Sequence, residues 1–160
     1  MPGSRTGVLT ARKVTRDAED RVPLVWIALS AGAAASLAAL YGHYSVLPGW
    51  LTGPDVCKLD QGGCAALFRS PRSALLGIPN ALLGLCLYIV LAAGLFLGWP
   101  AWWLFVMTLP AVAMSAFLGR SLIRQGLQCR ICWTGHAANA ALALLLGLRA
   151  LEPVIRITNH

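Results

Sequence analysis

A chain of 160 residues is sized for one domain, and with 58% hydrophobic residues, 12% charged residues and a mean hydropathy of +0.67 that domain is built for lipid. Soluble domains carry about 25% charged residues, so the composition excludes disorder, a nucleic-acid-binding arm and a water-soluble enzyme of ordinary surface. The formal charge of +7, from 13 Lys and Arg against 6 Asp and Glu, is scattered between apolar runs, which assigns it to anionic headgroups and membrane topology.

Residues 1–21 form a polar tail, with Arg5, Arg12, Lys13, Arg16 and Arg21 against Asp17, Glu19 and Asp20. No small-residue cleavage site follows a short apolar core, so the tail is expected to be retained, either disordered or as a short helix on the membrane surface. Residues 22–41 are an uncharged apolar run; at about 1.5 Å per residue, 20 residues reach roughly 30 Å, the thickness of the hydrocarbon core. Ala31, Gly32, Ala35 and Ser36 suit close helix packing there. Residues 42–73, punctuated by Pro48, Gly49, Gly53, Pro54, Gly62, Gly63 and Pro71, read as a long extramembrane loop, the kind that more often carries function.

A second span is expected over 74–98, with Gly77 and Pro79 near its entrance. A tight turn at Trp99 and Pro100 leads to a third over 99–118, where Trp99, Trp102 and Trp103 suggest an interfacial belt. Residues 120–128 form a polar connector, and 127–151 a fourth span. The fold class is therefore an all-α integral membrane protein, a bundle of four transmembrane helices over 22–151. The segments 1–21 and 152–160 are expected as cytoplasmic tails. Four spans place both termini on one side, with seven basic residues, and the cysteine-bearing regions on the other, with six. The weight of the tail before the first helix makes the termini cytoplasmic.

Five cysteines carry the chemistry: Cys57, Cys64, Cys86, Cys129 and Cys132. Cys129-Arg130-Ile131-Cys132 is a CxxC at the entrance of the fourth span. Positions i and i+3 share a helix face, so the sulfurs can bond within one turn. The positive helix N-terminus and Arg130 both favour thiolate, the reactive form. Cys57 and Cys64 flank six residues that include Gly62 and Gly63, which let the backbone fold back so that the sulfurs can meet. A loop pair and a membrane-edge pair suit electron relay by thiol–disulfide exchange, and cycling thiols belong on the oxidising side of a membrane. Two alternatives stand beside this reading: four cysteines ligating a metal, and disulfides that are only structural. Cys86, deep in the second span, is expected to be a small buried apolar residue.

In order along the chain, Cys57, Cys64, Phe68-Arg69-Ser70-Pro71, the run Gly77-Ile78-Pro79-Asn80-Ala81-Leu82-Leu83-Gly84, and Cys129-Arg130-Ile131-Cys132 resemble the vitamin K epoxide reductase family, in its bacterial form. The resemblance covers roughly residues 25 to 150. The DsbB family, another quinone-linked thiol oxidase, carries its CxxC in the first extramembrane loop, so the order here argues against it. The resemblance implies a four-helix bundle in the bacterial cytoplasmic membrane, with the cysteine loops extracytoplasmic. It further implies a quinone acceptor, menaquinone or ubiquinone, and a separate thioredoxin-like (DsbA-like) periplasmic partner.

Carried over by position, Cys132 faces the quinone, Cys129 is attacked by Cys64, and Cys57 exchanges with the partner. Ser70 and Asn80 match polar positions at the quinone, where a hydroxyl and an amide supply donors to its carbonyls. The alternative roles are a helix cap for Ser70 and helix packing for Asn80. His136, one turn beyond Cys132, is a candidate to bond or protonate the quinone; animal members have tyrosine there, which weakens an inference to vitamin K epoxide. Phe68 and Trp133 are candidate pocket walls or plain interface aromatics. The implied activity is oxidation of a dithiol partner with electrons passed to the quinone. Reduction of vitamin K or its epoxide is the alternative.

Overall fold

The computed structural model of the chain describes residues 5–45, 74–75, 77–124 and 129–158. These form α1 (Arg5–Tyr44), a minimal hairpin of β1 (Ala74–Leu75) and β2 (Ile78–Pro79), α2 (Asn80–Phe96), α3 (Ala101–Arg124) and α4 (Arg130–Thr158). Three stretches, Arg21–Tyr44, Ala101–Arg124 and Arg130–Pro153, are long and apolar enough to cross a membrane. The fourth apolar helix, α2, has 17 residues. At about 1.5 Å per residue it reaches about 25 Å, somewhat under the roughly 30 Å of hydrocarbon.

Several boundaries differ from those expected. The polar tail is continuous with the first span, since α1 begins at Arg5 and runs through Pro23. Proline lacks an N–H, so the bond to the Glu19 carbonyl is absent there, yet good helix formers on both sides carry the helix across. The second helix starts at Asn80 rather than 74. Gly77 has a φ of 83°, a left-handed conformation, and Ala74 pairs with Pro79 and Leu75 with Ile78 in antiparallel register. A left-handed glycine does not continue a helix, and Pro79, with a ψ of 129°, is extended, so the chain turns before it coils. α3 runs on to Arg124, which makes Arg120 and Arg124 helical rather than part of a connector. α4 begins at Arg130 and extends past 151, through Pro153. Arginines at helix ends extend their heads toward water while their stems stay on apolar surface, so charge there does not stop a membrane helix.

The tight corner between α2 and α3 has a definite cause. Gly98 adopts a φ of 69°, its N–H donates to the Leu95 carbonyl at 3.3 Å, and the Trp99 N–H donates to the Gly94 carbonyl at 2.8 Å. This is a Schellman cap, which stops α2 and satisfies its last carbonyls.

In the bundle, α1 packs against α2 and α4, and α4 also lies along α3. The core is Val25 and Leu29 of α1, Tyr88 and Leu91 of α2, Leu104 of α3, and Leu142 and Leu146 of α4, spaced three or four residues apart within each helix. Ile27, Leu37, Ile89, Phe117 and Leu144 on the outer faces are more than half exposed. Helices apolar on both faces belong in hydrocarbon. Cys86 is exposed, contrary to expectation. Gly84, Tyr88 and Leu91 take the inner face of α2, and a residue two positions from Gly84 and Tyr88 is turned about 200° away.

The bundle has two distinct ends. At one, Arg21 of α1 pairs with Glu152 of α4 at 3.3 Å, Trp26 meets Phe96 at a ring separation of 5.1 Å, and Trp102 stacks on Trp103 at 4.3 Å. The CxxC and the first residue of α2 lie at the other.

Candidate active site

The first turn of α4 is built on Cys129. Its carbonyl accepts the Trp133 N–H at 3.0 Å and its Sγ accepts the Cys132 N–H at 3.4 Å. Cys129 is therefore the N-cap, its sulfur in the place of the usual serine or aspartate oxygen. Cys129 is buried, Cys132 is half-buried, and both are free thiols. Cys129 stands one residue ahead of the membrane-crossing stretch Arg130–Pro153. Its thiol is lowered from the ordinary value of 9.0 to about 7. The main cause is a hydrogen bond from the Cys132 side chain; burial opposes the shift, and the N–H groups of Cys132 and Ile131 add to it. Of the two thiols, Cys129 is the one whose thiolate the N-cap position favours.

His136 follows Cys132 by one turn on the same face. Its Nε2 is buried and has no hydrogen-bond partner among the described residues. The Trp133 ring meets the imidazole edge-on at 5.9 Å, and both rings lie over Gly119 of α3, where an added Cβ would stand 3.8 Å from His136 and 4.0 Å from Trp133. Asn80, the first residue of α2, is half-buried at this same end of the bundle. The fold thus gathers Cys129, Cys132, Trp133 and His136 on the opening turns of α4, with Asn80 at the same end. Cys57, Cys64, Phe68 and Ser70 lie outside the described residues.

Sequence reasoning missed one polar group just beneath. Tyr88 Oη donates to Asn139 Oδ1 at 2.7 Å, and Asn139 Nδ2 donates to Ser115 Oγ at 2.9 Å. The signal was present: Cys132, His136 and Asn139 stand at i, i+4 and i+7, a polar stripe on an otherwise apolar helix.

An outer surface of hydrocarbon-facing side chains and a cysteine pair at a helix N-terminus define the class, a helical membrane protein with a dithiol site. The chain belongs to the vitamin K epoxide reductase family, whose profile matches residues 23–146. It is accordingly a membrane oxidoreductase of that kind. Comparison with curated proteins and with solved structures gives no significant match.

Proposed function

We propose that the chain oxidises a dithiol on a separate thioredoxin-like protein and passes the two electrons to a membrane quinone. The observation that carries this reading is the vertical order on α4: Cys129 Sγ at the helix N-cap, Cys132 one turn on, and one turn deeper a buried imidazole nitrogen without a partner among the described residues. A quinone carbonyl needs a polar partner in an apolar setting, and His136 Nε2 beside the Trp133 ring and Gly119 fits that need. When bound, the quinone supplies an acceptor for two electrons and two protons.

The chain's own part follows from thiol chemistry. Cys57 and Cys64 take the electrons of the partner's dithiol by exchange, leaving the partner with a disulfide. The Cys64 thiolate attacks Cys129 in the Cys129–Cys132 disulfide, and Cys132 leaves as thiolate and takes up a proton. Cys129 is shielded from solvent, which disfavours direct attack by a bulky protein thiol and favours a cysteine of the chain's own loop. Cys57 then displaces Cys129 from the mixed disulfide, restoring the loop disulfide and leaving the Cys129 thiolate hydrogen-bonded to the Cys132 thiol. As the S–S bond closes again, two electrons and the Cys132 proton leave the pair. A bound quinone would take up these electrons with that proton and a second from water, and His136 would be the residue to hold its oxygen. Asn80 and Ser70 are the further polar residues for the ring, and Phe68 and Trp133 its walls.

Three measurements on the purified chain test this. Quinone should be extractable from it, and Cys132→Ala should abolish quinone reduction. After oxidation the Cys132→Ala protein should hold a Cys64–Cys129 disulfide detectable by peptide mass spectrometry, because exchange passes through this mixed disulfide and its resolving thiol is gone. A Cys57–Cys129 link would exchange the loop roles, and no link at all would sink the relay. The family match favours a second reading, reduction of vitamin K or its epoxide; assays with each quinone form separate the two.

A further inference from the structure

The polar cluster inside the bundle joins all the helices at one level. Tyr88 of α2 is 3% exposed and bonds to Asn139 of α4, which bonds to Ser115 of α3. α1 contributes a seat for the tyrosine ring: a Cβ on Gly32 would fall 2.3 Å from Tyr88 Cζ and 2.6 Å from its Oη, so only glycine admits the ring there. The Asn139 amide has both ends committed, its oxygen to one helix and its nitrogen to another, which determines its rotamer and orientation.

This cluster lies directly below the proposed quinone site. Asn139 is one turn from His136 and two from Cys132 on the same face of α4. Ser115 is one turn from Gly119, over which the Trp133 and His136 rings lie. Tyr88 is eight residues along α2 from Asn80, about 12 Å.

Rotation is the variable that such a cluster can control. Between helices in hydrocarbon the hydrophobic effect discriminates poorly among rotations, because lipid tails are as apolar as leucine, so rotation rests on close packing and on interhelical hydrogen bonds. Ala138, Leu142 and Leu146 supply packing on this face of α4, and the hydrogen bonds of Asn139 add direction to it. One residue of slippage turns a helix face by about 100° and would carry Cys132 and His136 away from the interior. Directional hydrogen bonds to two neighbouring helices forbid that motion.

Building on the quinone reading above, we infer that Tyr88, Asn139 and Ser115 are positioning residues: they set the rotation and depth of α4 so that Cys132 and His136 face the quinone. Thiol exchange at Cys129 is independent of them, because the N-cap geometry is local to the first turn of α4.

The test separates two half-reactions in the full-length purified protein. One is reduction of the Cys129–Cys132 disulfide by dithiothreitol, the other reoxidation of the resulting dithiol by a short-tailed ubiquinone analogue, each in a single turnover. Tyr88→Phe and Asn139→Leu should slow reoxidation by about tenfold or more, since small misplacements of reacting groups cost rates of that order. The dithiothreitol step should stay at the wild-type rate. Asn139→Asp supplies the diagnostic readout. A protonated aspartic acid accepts from Tyr88 and donates to Ser115 as the amide does, so reoxidation by this variant should approach wild type at low pH and fall as the carboxyl ionises. Reoxidation at the wild-type rate in Tyr88→Phe and Asn139→Leu would overturn the inference. Equal loss of both half-reactions, with no pH rescue in Asn139→Asp, would overturn it too and leave only a packing role. Failure of the wild-type dithiol to reduce the quinone would instead overturn the function on which the inference rests.

Discussion

At Cys129 one sulfur performs two tasks, capping a helix and holding charge, and the first explains the second. An N-cap acceptor faces N–H groups that have no partner within the helix, and a thiolate there gains both the hydrogen bonds and the helix dipole. The thiol donor Cys132 adds the largest contribution. The reduced protein should therefore titrate its Cys129 thiolate with a midpoint near pH 7 rather than 9, followed by ultraviolet thiolate absorbance against a Cys129→Ala blank. Cys132→Ser keeps a donor and should leave the midpoint low, whereas Cys132→Ala should raise it. The sign for stability follows from the lowered value. The folded dithiol form gains stability above the ordinary thiol value of 9.0 and loses it as pH falls through about 7. A midpoint near 9 in the wild type would show that the helix N-terminus and Cys132 do not stabilise this charge.

Among the elements, glycine marks where helices touch, and only some glycines matter. Gly32 faces the Tyr88 ring at a separation no side chain tolerates, and a Cβ on Gly94 would lie 2.6 Å from Leu104 Cδ2 and 2.9 Å from Trp99 Cε3. Gly98 is open in space but holds a φ of 69°. Gly135 has nothing within 4 Å of its would-be Cβ and an ordinary helical backbone. Alanine at 32 or 94 should lower stability by about 1–3 kcal/mol through overpacking, and at 98 by about 1–2 kcal/mol through left-handed strain. Alanine at 135 should be neutral or stabilise by up to about 1 kcal/mol from helix propensity. Thermal unfolding in a single detergent ranks the four variants. A Gly32→Ala protein as stable as Gly135→Ala would mean that Tyr88 does not lie against α1. The Arg21–Glu152 pair belongs to a different class, because its side chains retain 28% and 20% exposure and such pairs contribute about 0–1 kcal/mol. Packing against glycine, rather than this ion pair, holds α1 in the bundle.

For the whole molecule, the alternation of helices puts Arg21 of α1 beside Glu152 of α4 at one end and the CxxC at the other. If the cysteine end faces an oxidising compartment, as net disulfide formation favours, a membrane-impermeant thiol reagent applied from outside the cell should label reduced Cys57 or Cys64. A tag on the N-terminal segment should then be reached only after the membrane is opened. Labelling of those cysteines solely from the cytoplasmic side would invert the arrangement and remove the compartment argument.

What the sequence alone determined about this protein is what depends on local pattern. The apolar runs are long because the solvent is hydrocarbon, so membrane spans can be read from composition. The CxxC states its own spacing, and Trp99-Pro100 marks the corner between α2 and α3. Helix ends were less legible, because backbone angles rather than polarity set them. Gly77 and Pro79 shortened the second helix although the run from 74 is apolar, and arginines that look like a connector stayed helical in α3. Cys86 was misplaced because an all-apolar helix gives no pattern that tells its inner face from its lipid face. Only the tertiary structure decided that face, and with it the meeting of Tyr88, Asn139 and Ser115 from three helices. Residues 51 and 24 positions apart in the chain became partners there because three helices converge on one ring seated against Gly32. Hydrogen bonds between helices depend on rotation about each axis, and that rotation is fixed jointly by the contacts and hydrogen bonds among several helices, not by any single segment.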